Sequence, residues 1–139
     1  MFWNNILLAC VLIVVTILIH SSVTRYTIYL INKKSDTRKK HHKHSKEYWI
    51  AVIVLIMFSA AIAEAAIWAV SYTVIGAIPE FEQALYFSIV TFTTLGYGDI
   101  TLSESWRLFA SLESAIGIII FGWSTAIVMA VVQKLFFKK

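Results

Sequence analysis

The chain has little of what a water-soluble domain of its size needs. Only 14% of its 139 residues are charged, against about 25% in ordinary soluble proteins. Too few polar side chains remain to cover a small globule, which excludes a soluble enzyme. A hydrophobic fraction of 59% excludes intrinsic disorder as well. The one cysteine, Cys10, rules out a disulfide framework and a multi-cysteine metal site, and reads as a small buried hydrophobe. One proline and five glycines leave long stretches without a helix breaker. No Lys or Arg occurs between Glu47 and Trp106.

What is present is three long apolar runs. A hydrocarbon core about 30 Å thick takes roughly 20 helical residues to cross. The first run covers residues 6–19, with a more mixed continuation to Ile31. The second covers residues 49–78 and is interrupted by Glu64; the third covers residues 108–132 and is interrupted by Glu113. No basic residue precedes the first run and no Ala-x-Ala site follows it, so it reads as a retained span and not a cleaved leader. Lys33, Lys34, Arg38, Lys39, Lys40, Lys43 and Lys46 lie between the first and second runs, and Lys134, Lys138 and Lys139 follow the third. Basic residues stay on the cytoplasmic side. The expected topology therefore has residues 1–31 as a first span entering from an outside N-terminus. Residues 32–46 form a basic cytoplasmic linker, and residues 47–139 end at a cytoplasmic C-terminus. The expected location is the plasma (inner) membrane.

Residues 79–107 are too polar to span and too apolar for an ordinary loop. Pro79 suits a first helical position, and Glu80 and Glu82 suit the positive end of a helix dipole. A helix from there to Phe92 is about 20 Å long, so it must enter the membrane and turn back. Its negative end then points to the membrane middle. Thr91-Phe92-Thr93-Thr94-Leu95-Gly96-Tyr97-Gly98-Asp99 follows. Gly96 and Gly98 alternate with larger residues and adopt left-handed backbone without strain. Alternating handedness lets successive carbonyls face one axis and replace an ion's hydration shell. Irregular backbone at this depth is tolerated where it lines a cavity.

The nine-residue run resembles the selectivity-filter signature of potassium channels, Thr-x-x-Thr-(Val/Ile/Leu)-Gly-Tyr-Gly-Asp. Residues 47–134, including Phe121-Gly122-Trp123-Ser124-Thr125, resemble small bacterial members of the pore-loop, two-transmembrane-type ion-channel family, to which the first span is an addition. The resemblance implies an all-α membrane protein with three transmembrane helices, a re-entrant pore helix and a filter loop, assembled as a homotetramer that conducts potassium passively. It implies no catalytic residue, no cofactor and no metal beyond the permeant K+. Carbonyls of Thr94, Leu95, Gly96 and Tyr97, with the Thr94 hydroxyl, would form the ion sites; Gly98 completes the filter, and Thr93 and Asp99 support it. Gly117, 20 residues beyond Tyr97, would be an inner-helix hinge or a close-packing site, and Gly122 a packing site. Ile118, Phe121 and Thr125 would line the central cavity. Leu95 stands where valine is commonest. Val90 stands where some members carry a glutamate that pairs with the motif aspartate, and Tyr86 where many carry tryptophan. The Tyr86 hydroxyl is therefore the expected partner of Asp99. A weakly selective cation channel and a non-conducting subunit that needs a partner remain alternatives.

Ionisable groups inside apolar spans are functional by default. Glu64 and Glu113 fall at matched depth, roughly 15 Å from the outer ends of their helices. They are expected to form one layer bracing the filter from behind; Glu64 could instead turn toward the first span. The run from Lys39 to His44 reads as a topology signal, with contact to anionic lipid as a second role. His20 and Arg25 are expected to reach the headgroups. Trp3, Trp49, Tyr72 and Trp106 read as interfacial anchors, not as a platform for nucleic acid, and Trp68 and Trp123 as packed.

Overall fold

The structure is a computed structural model and describes residues 2–37 and 44–137. Four helices account for nearly all of them: α1 (Phe2–Thr37), α2 (His44–Val74), α3 (Phe81–Phe92) and α4 (Glu104–Phe136). There is no strand among the described residues. α1, α2 and α4 are each long and apolar enough to cross a membrane. At 36, 31 and 33 residues they exceed the roughly 30 Å core. With no proline or glycine to stop it, α1 continues past Ile31 to Thr37, and α2 begins at His44. Most of the residues expected to form a linker are thus helical at their two ends. The basic residues Arg38–Lys43, and with them the expected lipid contact, lie outside the described residues.

α1 runs parallel to α4. At one end the Asn5 amide donates to the Ser105 carbonyl at 2.9 Å, and at the other Lys134 donates to the side-chain oxygen of Asn32. α1 also packs on α2 but does not touch α3. α3 is wedged between α2 and α4, and the turn before it is tight. Gly76 is left-handed at φ 71°, and the N–H groups of Ala77 and Ile78 fold back onto the Tyr72 carbonyl at 2.9 and 3.2 Å, closing the end of α2. The first helical bond of α3 joins Ala84 N–H to the Glu80 carbonyl at 2.9 Å. Glu80 is therefore the cap, and Pro79 precedes it instead of taking the first helical position.

The main core lies among α2, α3 and α4, where Trp68, Tyr72, Phe87, Phe92, Phe109 and Ile120 are buried. Tyr72 packs edge-on against Phe87 and Phe109 at 5.2 and 5.3 Å. Ala61, Ala65 and Ala69 give α2 a face shallow enough for close approach. Two expectations fail here. Tyr72 is wholly buried and is not an interfacial anchor, because its hydroxyl has a partner inside the protein. Cys10 is exposed on the outer side of α1, since that helix turns Ala9, Leu12 and the polar stripe of Thr16, His20, Thr24 and Thr27 inward.

Candidate functional site

α3 ends at Phe92, and the chain emerges from it as non-helical backbone. Thr93 N–H bonds to the Ile89 carbonyl at 3.0 Å, Thr94 N–H to Thr91 at 2.9 Å, and Leu95 and Gly96 N–H to Val90 at 2.9 and 3.3 Å. The Thr93 hydroxyl donates to Ile89 at 2.7 Å. The donors of this segment are thus spent on the last turn of α3. Among the described residues, the carbonyls of Thr94, Leu95, Gly96 and Tyr97 accept no hydrogen bond. The backbone is left-handed at every second residue: Thr94 at φ 61°, Gly96 at 56° and Gly98 at 78°. The alternation expected from two glycines therefore includes a threonine, at a strain of roughly 1–2 kcal/mol. Residues 94–99 are exposed on the single chain.

At the outer end of this segment the Tyr86 hydroxyl donates to Asp99 Oδ2 at 2.7 Å, and Ile100 N–H donates to Oδ1 at 3.1 Å. The hydroxyl holds the Asp99 carboxyl below the usual carboxylate range, against an opposing effect of desolvation, with the Ile100 N–H adding to the lowering. The same hydrogen bond raises the Tyr86 phenol, with desolvation and the Asp99 charge adding to it.

Behind the segment stands Glu113 of α4, wholly buried. The Tyr72 hydroxyl of α2 donates to its Oε2 at 2.6 Å, and the Ser88 hydroxyl of α3 meets its Oε1. Ser88 also lies 2.6 Å from the Ala65 carbonyl of α2. One hydroxyl hydrogen cannot serve two acceptors, so the cluster is completely bonded when Glu113 carries a proton and donates to Ser88. Three helices thus meet at one carboxyl. One turn inward along α3, the Ser114 hydroxyl donates to the Thr91 carbonyl at 2.9 Å. Below it, a Cβ on Gly117 would fall on the carbonyl oxygen of Phe92, with the carbonyl carbon 2.9 Å away. Only glycine fits there, and the geometry is that of a packing site within an uninterrupted α4. Gly122 has nothing within 4 Å of an added Cβ, so its expected packing role is not met within the chain.

Glu64 does not join this layer. It is wholly buried, but its Oε1 lies 3.1 Å from Nδ1 of His20 on α1, and its Oε2 has no partner. Depth and rotation of α2 decide this: Glu64 lies two turns from Tyr72, about 12 Å along the axis, and turns to α1 at the level of His20, while Trp68 between them touches both Thr16 and Phe109. Trp68 donates to the Thr16 hydroxyl of α1 at 3.2 Å. The shared carboxyl layer is thus replaced by two separate ones, and Glu64 does not brace the filter segment. His20 is likewise wholly buried and does not reach headgroups, whereas Arg25 is exposed and donates to Ser22 at 3.3 Å.

Ile118, Phe121 and Thr125 are exposed on the single chain. Phe121 meets Phe92 edge-on at 6.0 Å. Phe121, Ser124 and Thr125 border an open groove of about 250 Å³ against Val54, Met57 and Phe58 of α2. Sequence reasoning missed Ser88, Ser114 and the hydroxyl of Tyr72. Their one signal is a polar group on an otherwise apolar stretch, which gives no direction.

A family model described as an ion channel matches residues 49–134. That span covers α2 from its second turn, α3, the exposed segment and nearly all of α4, and leaves α1 outside. The chain belongs to this ion-channel family and, with three helices fit to cross a bilayer, is an integral membrane protein. No curated protein and no solved structure matches the chain.

Proposed function

We propose that four copies of this chain surround one axis and conduct potassium passively, with no cofactor and K+ as the permeant ion. The observation that carries the reading is the left-handed backbone at Thr94, Gly96 and Gly98, together with carbonyls at residues 94–97 that no donor among the described residues occupies. Such carbonyls are the groups that replace a cation's water. One chain supplies one wall of such a site. An irregular segment exposed at membrane depth has to be covered by other protein or face water, and further copies meet both needs. The negative end of each α3 points at the same place and favours a cation there. Asp99 and Tyr86 hold the outer end of the segment, Thr93 its base, and Glu113 the helix behind it. Ile118, Phe121 and Thr125, exposed on one chain, line the cavity below. The charge distribution supports a plasma-membrane protein with its N-terminus outside and its C-terminus in the cytoplasm.

Purified protein in liposomes tests the reading. We expect potassium flux well above sodium flux and a cross-linked mass of four chains. Gly96→Ala should abolish selective flux, because a side chain disfavours the left-handed backbone. Selective flux retained in that variant would overturn the filter assignment. Equal sodium and potassium flux in the wild type would overturn the selectivity.

A further inference from the structure

His20 lies mid-way along α1, in contact with both other long helices. Its Nδ1 is 3.1 Å from Glu64 Oε1 on α2, and its Nε2 is 3.3 Å from the Ser124 hydroxyl on α4. Trp123 of α4 closes the site edge-on at 5.1 Å. His20 and Glu64 are both wholly buried. Two polar atoms beside them, Glu64 Oε2 and the Thr24 hydroxyl, have no hydrogen-bond partner. Among the described residues, no other ionisable group bonds to the pair. On α1, Arg25 is exposed and engaged with Ser22. On α4 the nearest carboxyl, Glu113, is about three turns away and tied to Tyr72 and Ser88. On α2 the flanking indole of Trp68 is taken by Thr16. α3 does not touch α1.

We propose that the His20–Glu64 pair is a proton-binding site through which α1 sets the direction of a hydrogen bond on α4. The proton count follows from the geometry. With a neutral imidazole and an ionised carboxylate, Nδ1–H donates to Glu64, and Nε2 accepts from Ser124. The site then carries one uncompensated negative charge in an apolar interior, with Oε2 unserved, which is costly. One further proton makes the site neutral, whether it sits on the ring or on the carboxyl. With that proton on the ring, or on Oε1 where it donates to Nδ1, Nε2 carries hydrogen and donates to Ser124. The Ser124 hydrogen is thereby released to the Ile120 carbonyl one turn back, an acceptor that helical serines use. Taking up or losing one proton therefore reverses the bond between α1 and α4. Ser124 is the way out of the site, because it also borders the open groove between α2 and α4. α1, which lies outside the family match, is thus a proton-responsive clamp on the helix that lines the conduction path.

The proton site does not depend on the conduction reading, and the test keeps the two apart. The chain is labelled with ¹⁵N at its histidine rings, placed in lipid bilayers and followed by NMR from about pH 5 to pH 10. His20→Gln assigns the His20 signal. We expect His20 Nε2 to lose its proton on raising the pH, and Glu64→Gln to move the midpoint by a factor of ten or more in proton concentration. Flux from the same samples should change about fivefold across that midpoint, the equivalent of one hydrogen bond near 1 kcal/mol. In Ser124→Ala that flux change should vanish while the ring still titrates. An Nε2 signal that does not change with pH, a midpoint unmoved by Glu64→Gln, or a flux response intact in Ser124→Ala would each overturn the proposal. If the wild type gives no flux, the conduction reading fails, and the ring titration alone decides the proton site.

Discussion

Around Glu113 every hydrogen-bonding group has a partner; around Glu64 one carboxyl oxygen has none. Both carboxyls are wholly buried in the same apolar frame, yet one joins three helices through two hydroxyls and the other joins α1 to α2 through one ring nitrogen. Fully bonded polar clusters rigidify and specify a unique packing, whereas incompletely bonded ones carry a standing penalty. The unit of α2, α3 and α4 is accordingly fixed at the point where geometry matters most, the backbone leaving α3. The α1 interface is packed as closely, with Ala9 and Leu12 in the same core, but its buried carboxyl is the one left incompletely bonded. The neighbouring contacts divide the same way. Gly117 brings α4 onto the Phe92 backbone with no room for a methyl group, while α1 is attached by separate bonds from Asn5, Thr16, His20 and Asn32.

The sharpest way to break the comparison is Gly117→Ala. The added carbon meets backbone, which cannot rotate away, so either α3 or α4 must shift. Destabilisation of more than about 3 kcal/mol is expected, at the upper end of overpacking, and the shift acts on the residue next to the filter segment. Thermal unfolding in detergent, followed by circular dichroism, checks this. An unchanged transition would mean that α3 and α4 are not in contact there.

Next comes Glu113. Glu113→Ala strands the Tyr72 hydroxyl and opens a cavity, and should destabilise by about 2–3 kcal/mol. Glu113→Gln can accept from Tyr72 and donate to Ser88, reproducing the protonated carboxyl, and should fall within about 1 kcal/mol of wild type. A severe loss in Glu113→Gln would mean that the cluster needs a charged carboxylate.

On the α1 side, Thr16→Val removes the acceptor of the buried Trp68 indole, at an expected loss of about 1–2 kcal/mol. Because that contact joins α1 to the rest, the loss should leave filter behaviour intact. Altered ion selectivity in this variant would show that α1 and the filter are not separable.

The smallest structural effect is expected at the exposed Tyr86–Asp99 bond. Its contribution is present above the ordinary carboxylate range and is lost as pH falls through the depressed Asp99 value. It is also present below the ordinary phenol range and is lost as pH rises through the raised Tyr86 value. Between those limits it is constant. Tyr86→Phe should remove both limbs and hasten the decline of flux during sustained conduction, with little change in unfolding. Flux kinetics identical to wild type at neutral and acid pH would strip the bond of any role in holding the filter.

Much of this molecule was readable from local sequence. Long runs of apolar residues without proline make long helices wherever they are placed, and hydropathy marks them as candidates to cross a bilayer. The left-handed positions at Gly96 and Gly98 follow from glycine itself. The Tyr86–Asp99 pairing was expected from the resemblance to potassium channels, which places Tyr86 at a common tryptophan position, and the hydrogen bond is present. What local sequence did not carry was the rotation of the long helices. In helices this apolar, a few polar residues mark a face to be buried but not which neighbouring helix that face meets. Glu64 was therefore free to face either α3 or α1, and Cys10 and Tyr72 to lie in or out. Gly117 was equally undecided, since a hinge and a close contact call for the same residue.

Sequence by itself determined the helices, their order, the expected sidedness of their ends and the motif between α3 and α4, because each rests on the chemistry of neighbouring residues. Only the tertiary structure decided that Glu113 of α4 bonds to α2 and α3 and Glu64 of α2 to α1, that Thr94 shares the strained backbone, and that His20 is buried against Ser124. Those outcomes depend on which helix faces meet, and that is settled by packing volume and by the need of each buried polar group for a partner.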